Sequence, residues 1–435
     1  MTRVAGTTTN AGRWRRITLG ALAMATFAVG AATASWAEER HWLLVPGIGH
    51  DRFEQSFFLE DTLDIDPDSL KTLERTIEDL KESYLSLETA YQRGATVISN
   101  TLYATDAAWR NIATARTRWR RRQWTVDANA RLEWKGDDDR DTISSGYLFG
   151  QATVAPRYTL GERWSVLARG DWEGTAYDAR STWGLDYSRW RGRAGIRYSG
   201  ALLEAIDMTA GLTSRRVPDS SRLAYEEAWI AAEASYWEWG PALWTLAVSH
   251  RAREYDTDGA ERDHSRTEVE LSARGHFGDR WRAEAQADWE YWNYAQDAEI
   301  YFDFAVGKVE LEARRAVGRW TVGAQARSRW EGAASDAFAD NDFTDWAAGP
   351  VAGWQPSGMV WIDTGGRWGR RYYSDRSLVY DDYDFLEIDL SVDASVGDHF
   401  TLSLSATYET ENHDNPSRDT DYTYGALAIR FPFRL

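Results

Sequence analysis

The chain has 435 residues, 24 Trp, 21 Tyr, no cysteine and a formal net charge of −18. The missing cysteines exclude a disulfide scaffold. The acidic balance argues against phosphate binding, which needs a basic footprint, so no nucleic-acid partner is expected.

The N-terminus reads as an export signal over residues 1–37. Arg13, Arg15 and Arg16 form a positive region, Ile17 to Ala34 an apolar and small-residue stretch, and Ser35-Trp36-Ala37 a small-x-small cleavage site. The run is too short and too rich in Ala, Gly and Thr for a membrane anchor, and the mature chain is expected to start at Glu38. Residues 1–37 carry four arginines and no acid, which leaves −22 on the remainder. No later segment offers the ~20 apolar residues of a membrane-spanning helix.

Residues 38–95 read as a separate N-terminal segment. Trp42-Leu43-Leu44-Val45 is a short apolar run, broken by Pro46, Gly47 and Gly49. Over 66–92, Leu70, Leu73, Ile77, Leu80, Tyr84, Leu87 and Tyr91 recur at three- and four-residue steps, which predicts an amphipathic helix. Asp66-Pro67 suits its start and Gly94 its stop. Such a helix serves as a pore plug, a spacer, or an arm for a periplasmic partner. Residues 96–122 read either as a connector or as one more hairpin.

From about Gln123 the period drops to two. In Trp281 to Tyr291, Ala283, Ala285, Ala287 and Trp289 share one face, while Arg282, Glu284, Gln286, Asp288 and Glu290 share the other. The stretches 320–330, 386–396 and 400–408 behave alike. These are strands with one apolar and one charged face. The apolar face begins and ends with aromatics: Trp164 and Trp172, Trp281 and Trp289, Trp320 and Trp330, Phe400 and Tyr408. That is the order of two aromatic girdles flanking a lipid-facing band. A charged strand face packed into a dry core would be costly.

Turn-like sites recur at Arg121, Gly161, Gly200, Gly240, Gly278, Gly318, Gly358 and Gly397, separated by longer polar stretches. Short turns alternating with long loops are the wiring of a membrane barrel. A β-propeller shares the 40-residue period, but its blades need four short strands per repeat, and each repeat here holds two long ones. The expected fold is all-β: an antiparallel up-and-down transmembrane barrel of about 16 strands over 123–435, or 18 with 96–122. The helix would precede it.

Over 123–435 the chain resembles the outer-membrane β-barrel superfamily of Gram-negative bacteria, of the porin-like kind. The likeness is most specific in the last strand, where Leu427, Ile429, Phe431, Phe433 and Leu435 share a face that runs to the C-terminus. The resemblance implies an outer-membrane location, contact with lipid and lipopolysaccharide, and recognition of that strand by the barrel-assembly machinery. Such strands usually end in an aromatic residue, whereas this one ends in Leu435 with Pro432 inside it.

About 16 strands leave room for an aqueous channel. Its lining is expected to include the acids Glu268, Glu270, Glu284, Asp288, Glu290, Glu387, Asp389, Asp393, Glu409 and Glu411. The basic lining residues are Arg169, Arg251, Arg253, Arg282, Arg327 and Arg329. Acids concentrate at 265–290 and 385–411, and arginines at 189–197, 251–253 and 327–329. This gives either a transverse field with weak cation preference or mutually paired charges without a selective role. A diffusion channel is the simplest reading, and an export pore for a polysaccharide or other polymer, served by the 66–92 helix, is the second. An enzyme is not expected: no G-x-S-x-G, H-E-x-x-H or phosphate loop occurs. His276 faces inward by register, and adjacent Ser249 and His250 point to opposite faces. No cofactor or metal is expected, since Asp137-Asp138-Asp139 and Asp381-Asp382 read as solvated acidic loops.

Overall fold

The computed structural model describes residues 40–59, 74–104, 108–137, 146–177, 186–200, 203–218, 220–236, 242–256, 262–295, 301–334, 342–374, 381–396, 400–431 and 433–434. The expected signal peptide, Glu38 and Leu435 lie outside them. In chain order the strands are β1 (Arg40–Leu59), β2 (Glu74–Arg93), β3 (Thr96–Ala104), β4 (Ala108–Arg121), β5 (Trp124–Asp137), β6 (Tyr147–Leu160) and β7 (Trp164–Tyr177). Next come β8 (Tyr187–Tyr198), β9 (Leu203–Arg216), β10 (Tyr225–Tyr236), β11 (Ala242–Tyr255), β12 (His264–Phe277), β13 (Trp281–Tyr294) and β14 (Phe304–Val317). The rest are β15 (Trp320–Ala333), β16 (Phe343–Ser357), β17 (Val360–Tyr373), β18 (Tyr383–Val396), β19 (Phe400–His413), β20 (Thr420–Arg430) and β21 (Phe433–Arg434).

All 21 strands found among the described residues belong to one antiparallel sheet, in which consecutive strands from β1 to β20 pair with one another and β21 pairs with β1. The sheet closes on itself. β1 pairs with β2 on one side and with β20 and β21 on the other. β20 and β21 both lie along β1 as parts of one terminal run, so among the described residues the chain makes twenty passes. Closure is what lipid demands, because an open edge would leave a row of unpaired amides and carbonyls in hydrocarbon.

Two expectations are corrected. The helix over 66–92 is absent over 74–92, where β2 pairs residue for residue with β1 and β3; residues 60–73 lie outside the described ones. Residues 123–435 do supply sixteen passes, but 96–122 adds the β3–β4 hairpin and 40–93 the β1–β2 hairpin. The N-terminal segment is therefore wall rather than plug or arm. Its three- and four-residue apolar spacing is overridden by pairing: β1 and β2 satisfy edges that β3 and β20 would otherwise leave open. On β2, Leu85 and Leu87 are exposed on the outer face.

At the short-turn end, tight turns need a left-handed residue, and Gly161, Gly278 and Gly318 have φ of 75°, 63° and 64°. At the opposite end, four aspartates tie neighbouring hairpins together. The Asp263 carboxylate accepts the Tyr255 amide at 2.7 Å, while its carbonyl accepts the Ala295 amide at 2.9 Å. Asp303 does the same for Tyr294 and Ala334, Asp342 for Ala333 and Ser374, and Asp382 for Tyr373 and Asp414.

The wall folds sharply at β16. Its inward positions are small (Ala347, Gly349, Val351, Gly353), and ion pairs bridge over it between strands three apart. Arg314 on β14 reaches Asp363 on β17, and Arg327 on β15 reaches Glu387 on β18 at 2.7 Å.

Candidate functional site: the barrel interior

Alternation sets the two surfaces. The outer one carries the exposed apolar side chains, among them Met208, Leu212, Ile230, Leu246, Leu271, Leu311 and Val322. Its aromatics fall in two bands. At the short-turn rim, Trp164 packs on Tyr198 at 4.8 Å, Trp320 on Trp354 at 5.3 Å and Phe400 on Phe431 at 6.0 Å, with Trp281 exposed beside them. Eight to ten residues further along their strands stand Trp172, Trp289, Trp330 and Tyr408. Eight residues are roughly 27 Å of strand. A tilt of about 40° lowers that to about 21 Å, close to the height of a lipid-facing band. Trp172 differs from the others in being buried, laid against Gly150 and Trp190 on the outer face.

The register puts the charged positions on the opposite, interior surface. Most of the arginines there are bound to carboxylates. Arg251 meets Glu268 at 2.9 Å, Arg253 meets Glu227 at 2.6 Å, and Arg169 meets Asp171 at 2.8 Å. Arg329 and Arg371 both hold Asp345, whose side chain is fully buried, at 2.9 and 2.8 Å. Glu290 pairs with Arg266, Glu284 with Arg274 and Arg282, and Glu387 with both Arg327 and Arg367. Glu133, also buried, takes Arg110, Arg131 and the Tyr147 hydroxyl. A carboxylate removed from water needs such partners to stay ionised. Glu411 contacts His413 and accepts the Thr420 hydroxyl.

A smaller group stays outside these pairs. Asp389 and Asp393 accept only the hydroxyls of Thr407 and Ser403, and Asp288 only the Gln286 amide. Glu270 lies directly across from Asp288 in the β12–β13 register. On β8, Arg191 and Arg193 face inward between Asp171 and Arg169 on one side and Thr213 and Gly211 on the other. Glu270, Asp288, Arg191 and Arg193 line one cavity of about 1070 Å³, acids on the β12–β13 wall and arginines on β8. His276 is also on the inner register, across from Arg282, whereas His250 is outward and bonded to Thr267.

The sequence reading missed an inner ring of aromatics at the long-loop rim. The last inward residue of a strand there is usually aromatic, and the two ends of a hairpin pair: Tyr147 with Tyr177, Tyr225 with Tyr255, His264 with Tyr294, Phe343 with Tyr373 and Tyr383 with His413, at 4.5–6.0 Å. Arginines lie over several of them: Arg253 over Tyr225 and Arg371 over Phe343, both at 4.1 Å, and Arg266 over Trp292 at 4.7 Å. The legible signal was an aromatic falling on the charged parity just where the polar loop begins. Next to this rim, outside the strands, burial pushes the Asp381 carboxyl up, but the Asn415 amide, His413 and Arg418 outweigh it and hold the group below the usual carboxylate range.

Trp229 is a further missed residue. It faces inward from β10 across from Gly211, and any Cβ at 211 would lie 2.6 Å from its ring. Gly211 thus lets the indole lie flat on the wall. A Gly211→Val side chain would also meet the Gly192 carbonyl oxygen of β8 at 2.6 Å, so this variant is expected to shift that strand locally, push the ring into the cavity and lower single-channel conductance, while the folded barrel still migrates as such on an unheated gel. Unchanged conductance would mean that the ring relaxes along the wall instead.

No protein-family model and no curated protein matches the sequence. Solved structures do resemble the fold. The siderophore receptor PirA of Pseudomonas aeruginosa superposes with a TM-score of 0.54 at 9% identity, covering 89% of this chain and 80% of that one. OccK9 (OpdG) of the same organism gives 0.51 at 11% identity, over 90% and 98% of the two chains. OccAB4 of Acinetobacter baumannii gives 0.50 at 10%, over 91% and 98%. Likeness at such identity is likeness of fold. The fold is that of the outer-membrane β-barrels it superposes on, and the apolar outer band of the wall agrees with it.

Proposed function

We propose that the chain is a porin-like channel for passive diffusion of small hydrophilic or ionic solutes, weakly favouring cations. The observation that carries this reading is that every strand lies in the wall. Among the described residues, substantial contacts between strands join only neighbours in the sheet, and no element crosses the interior. Twenty strands about 4.8 Å apart and tilted by about 40° correspond to a round barrel of roughly 20 Å backbone radius, ample for water even after the fold at β16 narrows it.

The cation preference rests on the charges left over from pairing. Among the described interior residues, Glu233, Glu270, Asp288, Asp389 and Asp393 stand outside the ion pairs, and Arg157, Arg191 and Arg193 do so on the basic side and offset them in part. Pairing accounts for most of the remaining interior charge, so the preference is small. The export reading loses its motive, because the segment meant to dock a periplasmic partner is strand β2 over 74–93. The partners that remain in this reading are outer-membrane lipid and lipopolysaccharide along the aromatic bands, and the assembly machinery at the C-terminal strand.

The test is conductance of the purified protein in a planar bilayer under a salt gradient. Steady ohmic openings with a reversal potential displaced modestly toward the cation are expected. Barrels that insert yet pass no current would overturn the channel reading.

A further inference from the structure

The aromatic rim is not uniform. Around most of the mouth its rings meet in separate pairs, one per hairpin, but over β10–β14 they join into one strip. Tyr255 approaches His264 at 6.3 Å, and His264 approaches Trp292 at 4.9 Å. Trp292 stacks on Phe304 at 5.7 Å with planes 10° apart, and Tyr294 meets Tyr301 at 5.8 Å. The strip ends at β15, whose last inward residue is Ala333. Five adjacent strands make it roughly 19 Å long at ~4.8 Å per strand. It borders the cavity, which Glu268, Glu290 and Val306 of the same strands line below it.

Most of its charges are already paired. Arg266 is bound by Glu268 and Glu290, the Trp292 indole N–H donates to Glu290 at 3.2 Å, and Asp303 accepts the Tyr294 amide and the Asn293 side chain. An incoming cation therefore gains little here, since Arg266 over Trp292 and Arg262 over Tyr301 repel it. What the strip offers is a row of half-buried ring faces edged by phenol hydroxyls and carboxylate oxygens. That suits a neutral solute with flat apolar faces and hydroxyl edges, repeated along its length. A single aromatic molecule would use only one or two of the rings.

We propose that the β10–β14 strip is a binding site for neutral oligosaccharides at the channel mouth, with Trp292 and Tyr294 as its central stacking surfaces. The proposal rests on the channel reading for its route but not for its binding step, and the two are tested separately.

The experiment uses the full-length protein and a neutral gluco-oligosaccharide of six residues. Polyethylene glycol of similar hydrodynamic radius serves as a control that lacks ring faces. In detergent micelles, calorimetry is expected to detect the oligosaccharide and not the polymer, with at least tenfold weaker binding in Trp292→Ala and rescue by Trp292→Phe. In a planar bilayer, the oligosaccharide added on the long-loop side is expected to interrupt the current of the wild type for longer than that of Trp292→Ala. Open-channel conductance should remain the same in both. Equal binding by wild type and Trp292→Ala, or heat from an indole amide but none from the sugar, overturns the proposal. Binding without any conductance leaves the site standing and removes the channel reading.

Discussion

An Asp345→Ala barrel is expected to unfold at a much lower urea concentration than the wild type in detergent micelles, followed as loss of the fast-migrating folded band on an unheated gel. Asp345 is fully buried and is the shared anchor of Arg329 and Arg371. Arg371 is further wedged between Phe343 at 4.1 Å and Tyr383 at 5.2 Å, so its guanidinium cannot simply turn to water. Removing the carboxylate strands Arg371, which is largely shielded, and leaves Arg329, about a third exposed, to turn to water; breaking a buried pair from one side costs about 3–5 kcal/mol. Asp345→Asn keeps the shape without the charge and should lose nearly as much. The discriminating variant is Asp345→Ala with Arg371→Met, which removes one stranded cation and should recover part of the loss. Additive effects of the two substitutions would show that the pair is not coupled and that the ionic layer contributes little.

The largest functional effect is expected from Arg191→Glu combined with Arg193→Glu. Both arginines line the cavity without a carboxylate bound to them, and the double change makes the lumen more negative by four charges. Each unit at ~10 Å through water acts on a passing ion with about 0.4 kcal/mol. Four would give about 1.7 kcal/mol unscreened, and a Debye length of ~10 Å at 0.1 M salt reduces this to roughly a third. That energy favours the cation and disfavours the anion equally, so the cation-to-anion permeability ratio should rise about eightfold at 0.1 M, and by less at 1 M, read from reversal potentials in a planar bilayer. The opposite change, Glu270→Lys, should lower the ratio. A ratio indifferent to both would mean that permeating ions do not pass this wall, and the weak cation preference would lose its basis.

The parts of the molecule that sequence made legible are those where the two sides of a strand meet different media. Between lipid and water each residue is sorted by one property, so Ala283, Ala285 and Ala287 against Glu284, Gln286 and Asp288 announce both the strand and its orientation. For the same reason, the ionisable residues named from the sequence share the strand parity opposite to the exposed apolar side chains. The first two strands escaped because their apolar residues point to the wrong element. Leu80, Tyr84, Leu87 and Tyr91 form a helical stripe but divide between the two faces of β2, two on each parity, and the deciding fact is non-local: β3 and β20 need partners. Which lumen charges neutralise each other was equally hidden. Arg314 meets Asp363 and Arg327 meets Glu387 across intervening strands, and only the fold at β16 brings them within reach. Trp292 and Tyr294 escaped for a different reason: two aromatics on the charged parity look like breaks in a girdle pattern rather than a pattern of their own.

The repeated aspartates at the long-loop rim separate two kinds of inheritance within the chain. By capping the last amide of one strand with a side chain and accepting the amide beyond the next hairpin with a carbonyl, Asp263, Asp303, Asp342 and Asp382 finish the hydrogen-bond ladder before the loops begin. Nothing in that ladder depends on what the segments beyond it contain. The loops beyond these four aspartates can thus change in length and composition without unzipping the wall beneath them.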